Sequence, residues 1–556
     1  MSNYLLETAT QRKTKQTQPI PGREKDMARN SAGGFAFKAD SFARLERFLI
    51  LGSESGTYYV GESELTKTNV DNVRACIQED GLRAVRMITN ISVVGRAPKN
   101  DPALYALAIA ASYGGDEKIR AAALDALPKV ARIGTHLFQF CAFIDTMRGW
   151  GPGLRKAIAR WYLEKPTDKL AYQLVKYQNR EGWSHRDVLR VAHVPSQSTL
   201  MRWVIGADAG TREVKNGPKG SEKVRVYGPA LGALPELVAA FEEAKTDDEK
   251  AVVKLIRDRG LTREMIPTEM QKSPAIWEAL LEKMPLTAMI RSLGRMGACG
   301  LLAPLSEASK LVQIRLTDSE YLHKSRVHPI QVLSALLTYG QGHGQKGKLA
   351  WQPVPTVVDA LNDAFYAAFQ NVPPTGKRFY LGIDVSGSMT GGVVAGIAGL
   401  TPNMGAAAMA MLIARTEPNY FIGGFATSFI DLGVSKSDRL DVAMRKCQRD
   451  FGGTDCAVAI NHALAKKYPV DAFVVITDGM TWAGDVHASQ AIVEYRRKTG
   501  VDAKLIVINM VAERTKLTDP QDAGSLDVVG FDASVPTVIA GFMGANGPQS
   551  DQSDSE

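Results

Sequence analysis

Phe379-Tyr380-Leu381-Gly382-Ile383-Asp384-Val385-Ser386-Gly387-Ser388-Met389 is an apolar run that breaks abruptly into Asp-x-Ser-x-Ser. A continuous apolar run of this length reads as a strand buried on both faces of a parallel sheet. Ligand groups in such sheets gather in the crevice beyond the carboxyl ends of the strands. One carboxylate and two hydroxyls leaving a strand end on a glycine-containing turn offer only hard oxygen donors. Such donors suit Mg²⁺, Mn²⁺ or Ca²⁺ better than softer metals.

Two later segments fit the same crevice. Phe473-Val474-Val475-Ile476-Thr477-Asp478-Gly479 is a second apolar strand ending in a carboxylate, and Gly452-Gly453-Thr454-Asp455 opens a helix that Thr454 can cap. The set Asp384, Ser386, Ser388, Thr454 and Asp478 resembles the metal-ion-dependent adhesion site of von Willebrand factor A (vWA) domains. That resemblance implies that Ser386, Ser388 and Thr454 touch a divalent ion, Mg²⁺ first, while Asp384 and Asp478 act partly through water. Asp455 is the alternative to Thr454, and simple helix capping is the alternative for each residue taken singly.

Around these segments strands and helices alternate from Phe379 to Val511, which implies a mainly parallel, doubly wound α/β sheet. The preceding chain has a different rhythm. From about Asp40 to His193, and again from Ala230 to Gly340, amphipathic segments of helix length follow one another between Gly and Pro breaks. Asp101-Pro102 starts one segment and Gly114-Gly115 stops it; Gly151-Pro152-Gly153 separates two others. Short breaks force helices into antiparallel neighbours, and their number favours a stacked helical-repeat array. The expected division is a flexible arm over 1–30, a helical-repeat region over 31–355, an α/β domain over 356–545 and a solvated acidic tail over 546–556. Residues 207–229, rich in Gly and charge, read as a surface loop or hairpin.

With 556 residues the chain is long for one core, and its net charge of +8 raises the odds of a polyanionic partner. Five cysteines without Cys-x-x-Cys spacing argue against a zinc site or a disulfide framework and fit a reducing cytoplasm. No apolar run approaches the ~20 residues a bilayer span needs, so no membrane partner is expected.

The charge is concentrated. Between Arg148 and Arg190 there are ten Lys/Arg against four Asp/Glu, including Arg155, Lys156, Arg160, Lys169, Lys176, Arg180, Arg186 and Arg190. The pairs Lys156/Arg160, Lys176/Arg180 and Arg186/Arg190 have the i,i+4 spacing of one helix face, and like charges so placed cost stability unless an anion offsets them. Trp150, Trp161, Tyr162, Tyr172, Tyr177 and Trp183 are interleaved. Cations for phosphates with rings for unpaired bases is how proteins hold RNA loops and ends. A helical core accounts for the rings more simply; the charges point to RNA.

Phe48-Leu49-Ile50-Leu51-Gly52-Ser53-Glu54-Ser55-Gly56-Thr57-Tyr58-Tyr59 and Gly182-Trp183-Ser184-His185-Arg186-Asp187-Val188-Leu189-Arg190 resemble signature stretches of the Ro autoantigen (TROVE) family, which also ends in a vWA domain. The resemblance implies a monomeric ring of HEAT-like helical repeats closed by a Rossmann-like vWA domain. It implies a scaffold, not an enzyme, that binds small noncoding Y-like RNA on its outer helical surface near Lys169, Lys176, Arg180, His185 and Arg186. It also implies that single-stranded 3′ ends of misfolded RNA enter the central hole, in noncoding RNA quality control, with an exoribonuclease tethered through the RNA. Two other readings stand beside it. One is a metal-dependent protein-interaction adaptor. The other is a metal-dependent nuclease, which the single carboxylate pair disfavours because phosphoryl-transfer sites often hold two metals.

Gly342-His343-Gly344-Gln345-Lys346-Gly347-Lys348 has P-loop spacing, but Leu349 follows where Ser or Thr should hold Mg²⁺ and a helical pattern precedes it. It reads as a basic loop instead.

Overall fold

A computed structural model of the chain describes residues 13–544, apart from 55–60, 196–197, 208, 218–219, 228–232, 345–347, 370–373, 450–451 and 533. The expected acidic tail, the first twelve residues of the expected arm, part of the first signature stretch and Lys346 lie outside the described residues.

The α/β domain holds a six-stranded sheet in the order Ser525–Val529, Lys504–Asn509, Ala472–Thr477, Arg378–Asp384, Asn419–Phe425, Phe429–Asp431. All neighbours are parallel except the last pair, an antiparallel edge. The chain enters at Arg378–Asp384, runs outward on one side, then returns to build the other side from Ala472–Thr477. The strand order therefore reverses between those two strands. Both are buried on both faces, as their unbroken apolar composition demands. Alternate side chains serve two cores. Tyr380, Phe473, Val475 and Leu505 face the helices Val458–Ala465 and Ala488–Thr499. Leu381, Ile383, Val474 and Ile506 face the helix Pro402–Thr416, and this core is continuous with that of the helical region.

The helical region runs from Ser41–Leu51 to Pro355–Ala367. Successive helices pack on near neighbours: Glu117–Val130 on Asp101–Tyr113 and Pro152–Leu163, Glu236–Glu243 on Thr167–Lys176, and Leu286–Ala298 on Pro329–Gly340. The stretch 207–229 contains an antiparallel ribbon, Ala209–Gly217 with Gly220–Tyr227. The boundary at 355/356 needs correction. Pro355–Ala367 packs on Pro329–Gly340 and Glu307–Thr317, so it ends the helical array rather than opening the α/β domain.

Both ends of the array meet the α/β domain. At the first end, Arg47 donates to the carbonyls of Glu513 and Thr515 and pairs with Asp527, while Arg96 pairs with Glu46 and Asp532. At the last end, Arg439 pairs with Asp359, and Leu440 N donates to Asn362 Oδ1 at 3.0 Å. The two ends also touch each other: His328 Nε2 lies 3.0 Å from the Arg96 carbonyl, and Gln331 Nε2 donates to the Pro98 carbonyl at 3.2 Å. The array is thus bent into a closed hoop.

Residues 13–30 are not a loose arm. Met27–Arg29 pairs with Phe35–Lys38, which in turn pairs with Thr515–Lys516. Ile20 and Met27 pack with Phe37, and Arg23 forms a two-pronged pair with Asp519 at 2.6 and 2.9 Å. Gly34 fits closely because a Cβ there would lie 1.9 Å from the Thr481 carbonyl oxygen. Strands of three and four residues are too short to show a period, so the sequence hid this strap.

Candidate metal centre and nucleic-acid interface

Asp384 and Asp478 stand side by side because their strands are adjacent and parallel, with Ile383 opposite Ile476. They end at the reversal of strand order, where α/β sheets open a crevice. Asp384 Oδ1 accepts from Ser386 N at 3.0 Å and Ser386 Oγ at 2.6 Å, and its Oδ2 accepts from Thr477 Oγ1 at 2.5 Å. Ser386 Oγ lies 3.1 Å from Ser388 Oγ and accepts from Thr454 Oγ1 at 2.8 Å. Asp478 Oδ1 accepts from Met480 N at 3.0 Å. The structure brings all five sequence-selected residues together, each no more than 3% exposed. Asp455 turns elsewhere: its Oδ1 accepts from Ala457 N and from Gln16 Nε2.

Burial raises both carboxyl pKa values, and the Asp384 charge raises that of Asp478 further; hydrogen bonds from Ser386, Thr477 and Ser388 oppose the shifts. Two buried carboxylates side by side, with three hydroxyls around them, favour a cation between them. Among the described residues no group of three or more His, Cys, Asp or Glu is arranged to hold a metal. A cation here must complete its shell with hydroxyl oxygens, which the donor set supplies. The residues fit a hard divalent ion.

Three contributors escaped the sequence reading. Thr477 holds the second oxygen of Asp384. Gln16 is fully buried, takes a hydrogen bond from Thr481, and donates to Asp455 and the Val486 carbonyl. Asn30 donates to the Thr481 carbonyl at 2.7 Å. Only Thr477 had a local signal, its place at the strand end.

The basic stretch divides. Lys156, Lys169, Arg186 and Arg190 are exposed. Arg160 is half-buried and paired with Asp125 at 2.7 Å; Arg155 is half-buried. Trp161 and Tyr162 are core. His185 does not belong to an RNA-facing surface. It is 3% exposed, lies 2.8 Å through Nδ1 from the Tyr162 hydroxyl, and packs on Phe138. Burial pushes its pKa down to about 4, so the ring is neutral. The spacing of His185, Val188, Leu189 and Ala192 on one helix face was the available signal.

Lys176 and Arg180 also need correction. They do not share a helix face, because the helix ends at Lys176 and Arg180 lies in a two-residue strand paired with Trp183–Ser184. Both face inward. With Lys99, His136 and Gln139 they line one side of a cavity of about 730 Å³; Arg263, Lys283 and Arg291 line the other. Six Lys/Arg meet three carboxylates, Glu54, Asp101 and Glu264, in this lining. The Lys176 ammonium sits 4.9 Å from the Tyr172 ring centre and donates to its hydroxyl at 2.6 Å. Six cations against three carboxylates leave a positive surplus on these walls, and a cleft with such a surplus focuses the field, so this hollow favours anions.

The TROVE domain family matches residues 28–216 and 235–377, and the Ro60 vWA domain family matches 378–543. The chain belongs to the Ro60 family. Its relatives include RNA-binding protein RO60 of Deinococcus radiodurans, 42% identical over 529 residues, covering 95% of this chain and 96% of the relative. RNA-binding protein RO60 of Caenorhabditis elegans is 35% identical over 579 residues, covering 92% and 89%. The crystal structure of the Deinococcus radiodurans RO (RSR) protein superposes with a TM-score of 0.66 at 40% identity, covering 91% of this chain and all of that one. The family division at 377/378 agrees with the helix Pro355–Ala367 closing the array. Within this Ro60-family architecture the vWA crevice and the basic hollow are separate sites joined by one segment. Beyond Ser388 the chain reaches the array, where Lys99 donates to the Gly396 carbonyl at 3.0 Å and pairs with Glu54 at 2.6 Å.

Proposed function

We propose that this protein is a non-enzymatic RNA-binding scaffold acting in noncoding RNA quality control. A small structured, Y-like RNA binds the outer helices through exposed Lys156, Lys169, Arg186 and Arg190. Single-stranded 3′ ends of misfolded RNA enter the basic hollow. A bound Y-like RNA then serves as a tether for a second protein such as an exoribonuclease. The observation that carries the reading is the hollow itself, with six cations facing inward from both arms of the hoop. Cations on an outer surface meet solvent at little cost. Lys99 already pairs with Glu54 and Arg180 with Glu181, but the positive surplus left around the hollow repels itself until an anion joins it. The RNA-binding names of the relatives point the same way.

In this reading Asp384, Ser386, Ser388, Thr454 and Asp478 hold a divalent cation, Mg²⁺ first and Mn²⁺ or Ca²⁺ in its place. When bound, the ion supplies charge neutralisation and fixes the loops at the strand ends. The chain's own residues position it: Thr477 orients Asp384, and the Gln16 strap braces the loop after Asp478.

The test is electrophoretic retention of a single-stranded RNA by the purified protein. Reversing Lys176, Arg180 and Arg291 to Glu together should weaken binding by orders of magnitude, and the parent protein's affinity should fall steeply with salt. Retention unchanged by the triple variant would overturn the reading. Reversing Arg186 and Arg190 should instead reduce binding of a folded small RNA, with single-strand binding kept.

A further inference from the structure

A cavity of about 250 Å³ shares no lining residue with the central hollow. It lies against the start of Pro152–Leu163, a helix of 12 residues whose N-cap is Gly151. No side chain caps this end. Proline at the first helical position has no N–H, so the open donors are the amides of Gly153 and Leu154, which have no acceptor among the described residues. Gly149 makes the preceding turn at φ +77°, a conformation that favours glycine.

Two guanidiniums line the same space. Arg120 comes from the helix Glu117–Val130 and Arg148 from the turn after Gly134–Asp145. Their hydrogen bonds go to carbonyls: Arg120 Nη1 donates to Gly114 at 2.6 Å, and Arg148 Nη1 to Ser112 at 3.3 Å. Among the described residues neither pairs with a carboxylate. Asp116 instead accepts from the Lys118 amide at 2.9 Å, and Asp145 from the Trp150 indole at 3.0 Å. No acidic residue lines the cavity. Ser112 does line it. It is 4% exposed, and its Oγ has no hydrogen-bond partner in the protein, a costly state for a buried hydroxyl.

These parts share one preference. Helix-end amides and forked guanidiniums both hold tetrahedral oxyanions, and a hydroxyl adds one more donor. The rest of the lining has no ring to stack on a base and no amide or acid to read a base edge, the means by which proteins hold single-stranded RNA. Its volume is below the roughly 300–1,000 Å³ of drug-sized ligands. Leu124, Ile144 and Leu154 leave an apolar side for a short carbon chain.

We propose that this pocket binds the phosphate group of a small phosphorylated molecule, with Arg120, Arg148, the Gly153 and Leu154 amides and the Ser112 hydroxyl as its donors. A phosphate monoester offers three free oxygens and close to two charges at neutral pH. A phosphate inside a nucleic-acid chain offers two oxygens and one charge. The site therefore stands apart from the RNA reading and does not depend on it.

The experiment is equilibrium dialysis of the intact protein against radiolabelled inorganic phosphate and, separately, glycerol phosphate. Each is run with and without a saturating single-stranded RNA whose 5′ end is a hydroxyl. One phosphate per chain should stay bound when the RNA is present. Arg120→Gln with Arg148→Gln should weaken that binding by about tenfold or more, and Ser112→Ala by less. Arg148 is exposed and bonds only to a carbonyl, so Arg148→Gln leaves the fold intact and alone should cost about threefold or more. Tighter binding of glycerol phosphate supports the proposal with an organic phosphate as ligand; the reverse order supports it with phosphate itself. Absence of saturable binding, displacement of the phosphate by the RNA, or binding unchanged in Arg148→Gln would each overturn it.

Discussion

His185, His328 and His136 lie within or against packed helices, and burial pushes the pKa of each down to about 4. A folded value below the unfolded value of about 6.5 fixes the sign. The stability these neutral rings contribute is complete above pH 6.5 and is lost as pH falls towards 4. The thermal midpoint should therefore fall across that window, and a His185→Gln variant should fall less. For His185 the effect amounts to roughly 3 kcal/mol, since each tenfold change in proton affinity is worth about 1.4 kcal/mol. The carboxylate pair gives a second expectation. Added Mg²⁺ or Mn²⁺ should raise the unfolding midpoint of the parent protein, by about 2.7 kcal/mol of stability at a concentration of ~100 Kd. Asp384→Asn should abolish the rise, measured by differential scanning fluorimetry. Asp384, Ser386, Ser388 and Asp478 were legible because a strand end announces itself in the local pattern. Gln16 was not: its partners Asp455, Thr481 and Val486 are hundreds of positions away, and no periodicity reports such pairing.

The same contrast holds among elements. Helices of ten or more residues with capping signals stood out, such as Glu117–Val130 behind Asp116, and so did buried strands such as Ala472–Thr477. The edge strand Phe429–Asp431 and the pairing of Phe35–Lys38 with Thr515–Lys516 did not, because two to four residues carry neither period nor propensity enough. The strap anchored by the second of these pairings has a measurable role. Gln16→Ala would leave the Asp455 carboxylate and the Thr481 hydroxyl without this partner, and losing a buried partner costs about 1–3 kcal/mol. Urea denaturation should show that loss, and Mn²⁺ affinity should fall with it because the strap braces the loop following Asp478. An unchanged Mn²⁺ affinity would separate the strap from the crevice. The basic string 148–190 illustrates the opposite error. Its charges were legible as a surplus, but helix Thr167–Lys176 ends before Arg180, so one face became two. That turn sends Lys176 and Arg180 to the inside of the hoop.

At the scale of the whole molecule, the closing contacts decide stability. Asp532 is 1% exposed and its partner Arg96 belongs to the other region. Arg96→Ala leaves a buried carboxylate unpaired, and breaking such a pair costs roughly 3–5 kcal/mol. Chemical denaturation of the variant should show that loss, whereas Arg257→Ala, which breaks an exposed pair with Glu282, should cost less than about 1 kcal/mol. Open stacks of helical units unravel from their outermost members, since each unit is held on one side only. This chain has no outermost member: Ser41–Leu51 and Pro355–Ala367 are each gripped by the α/β domain. Amide hydrogen exchange along the array should accordingly show no gradient from rim to middle, and the protein should melt as one piece, like a barrel whose staves share a single band.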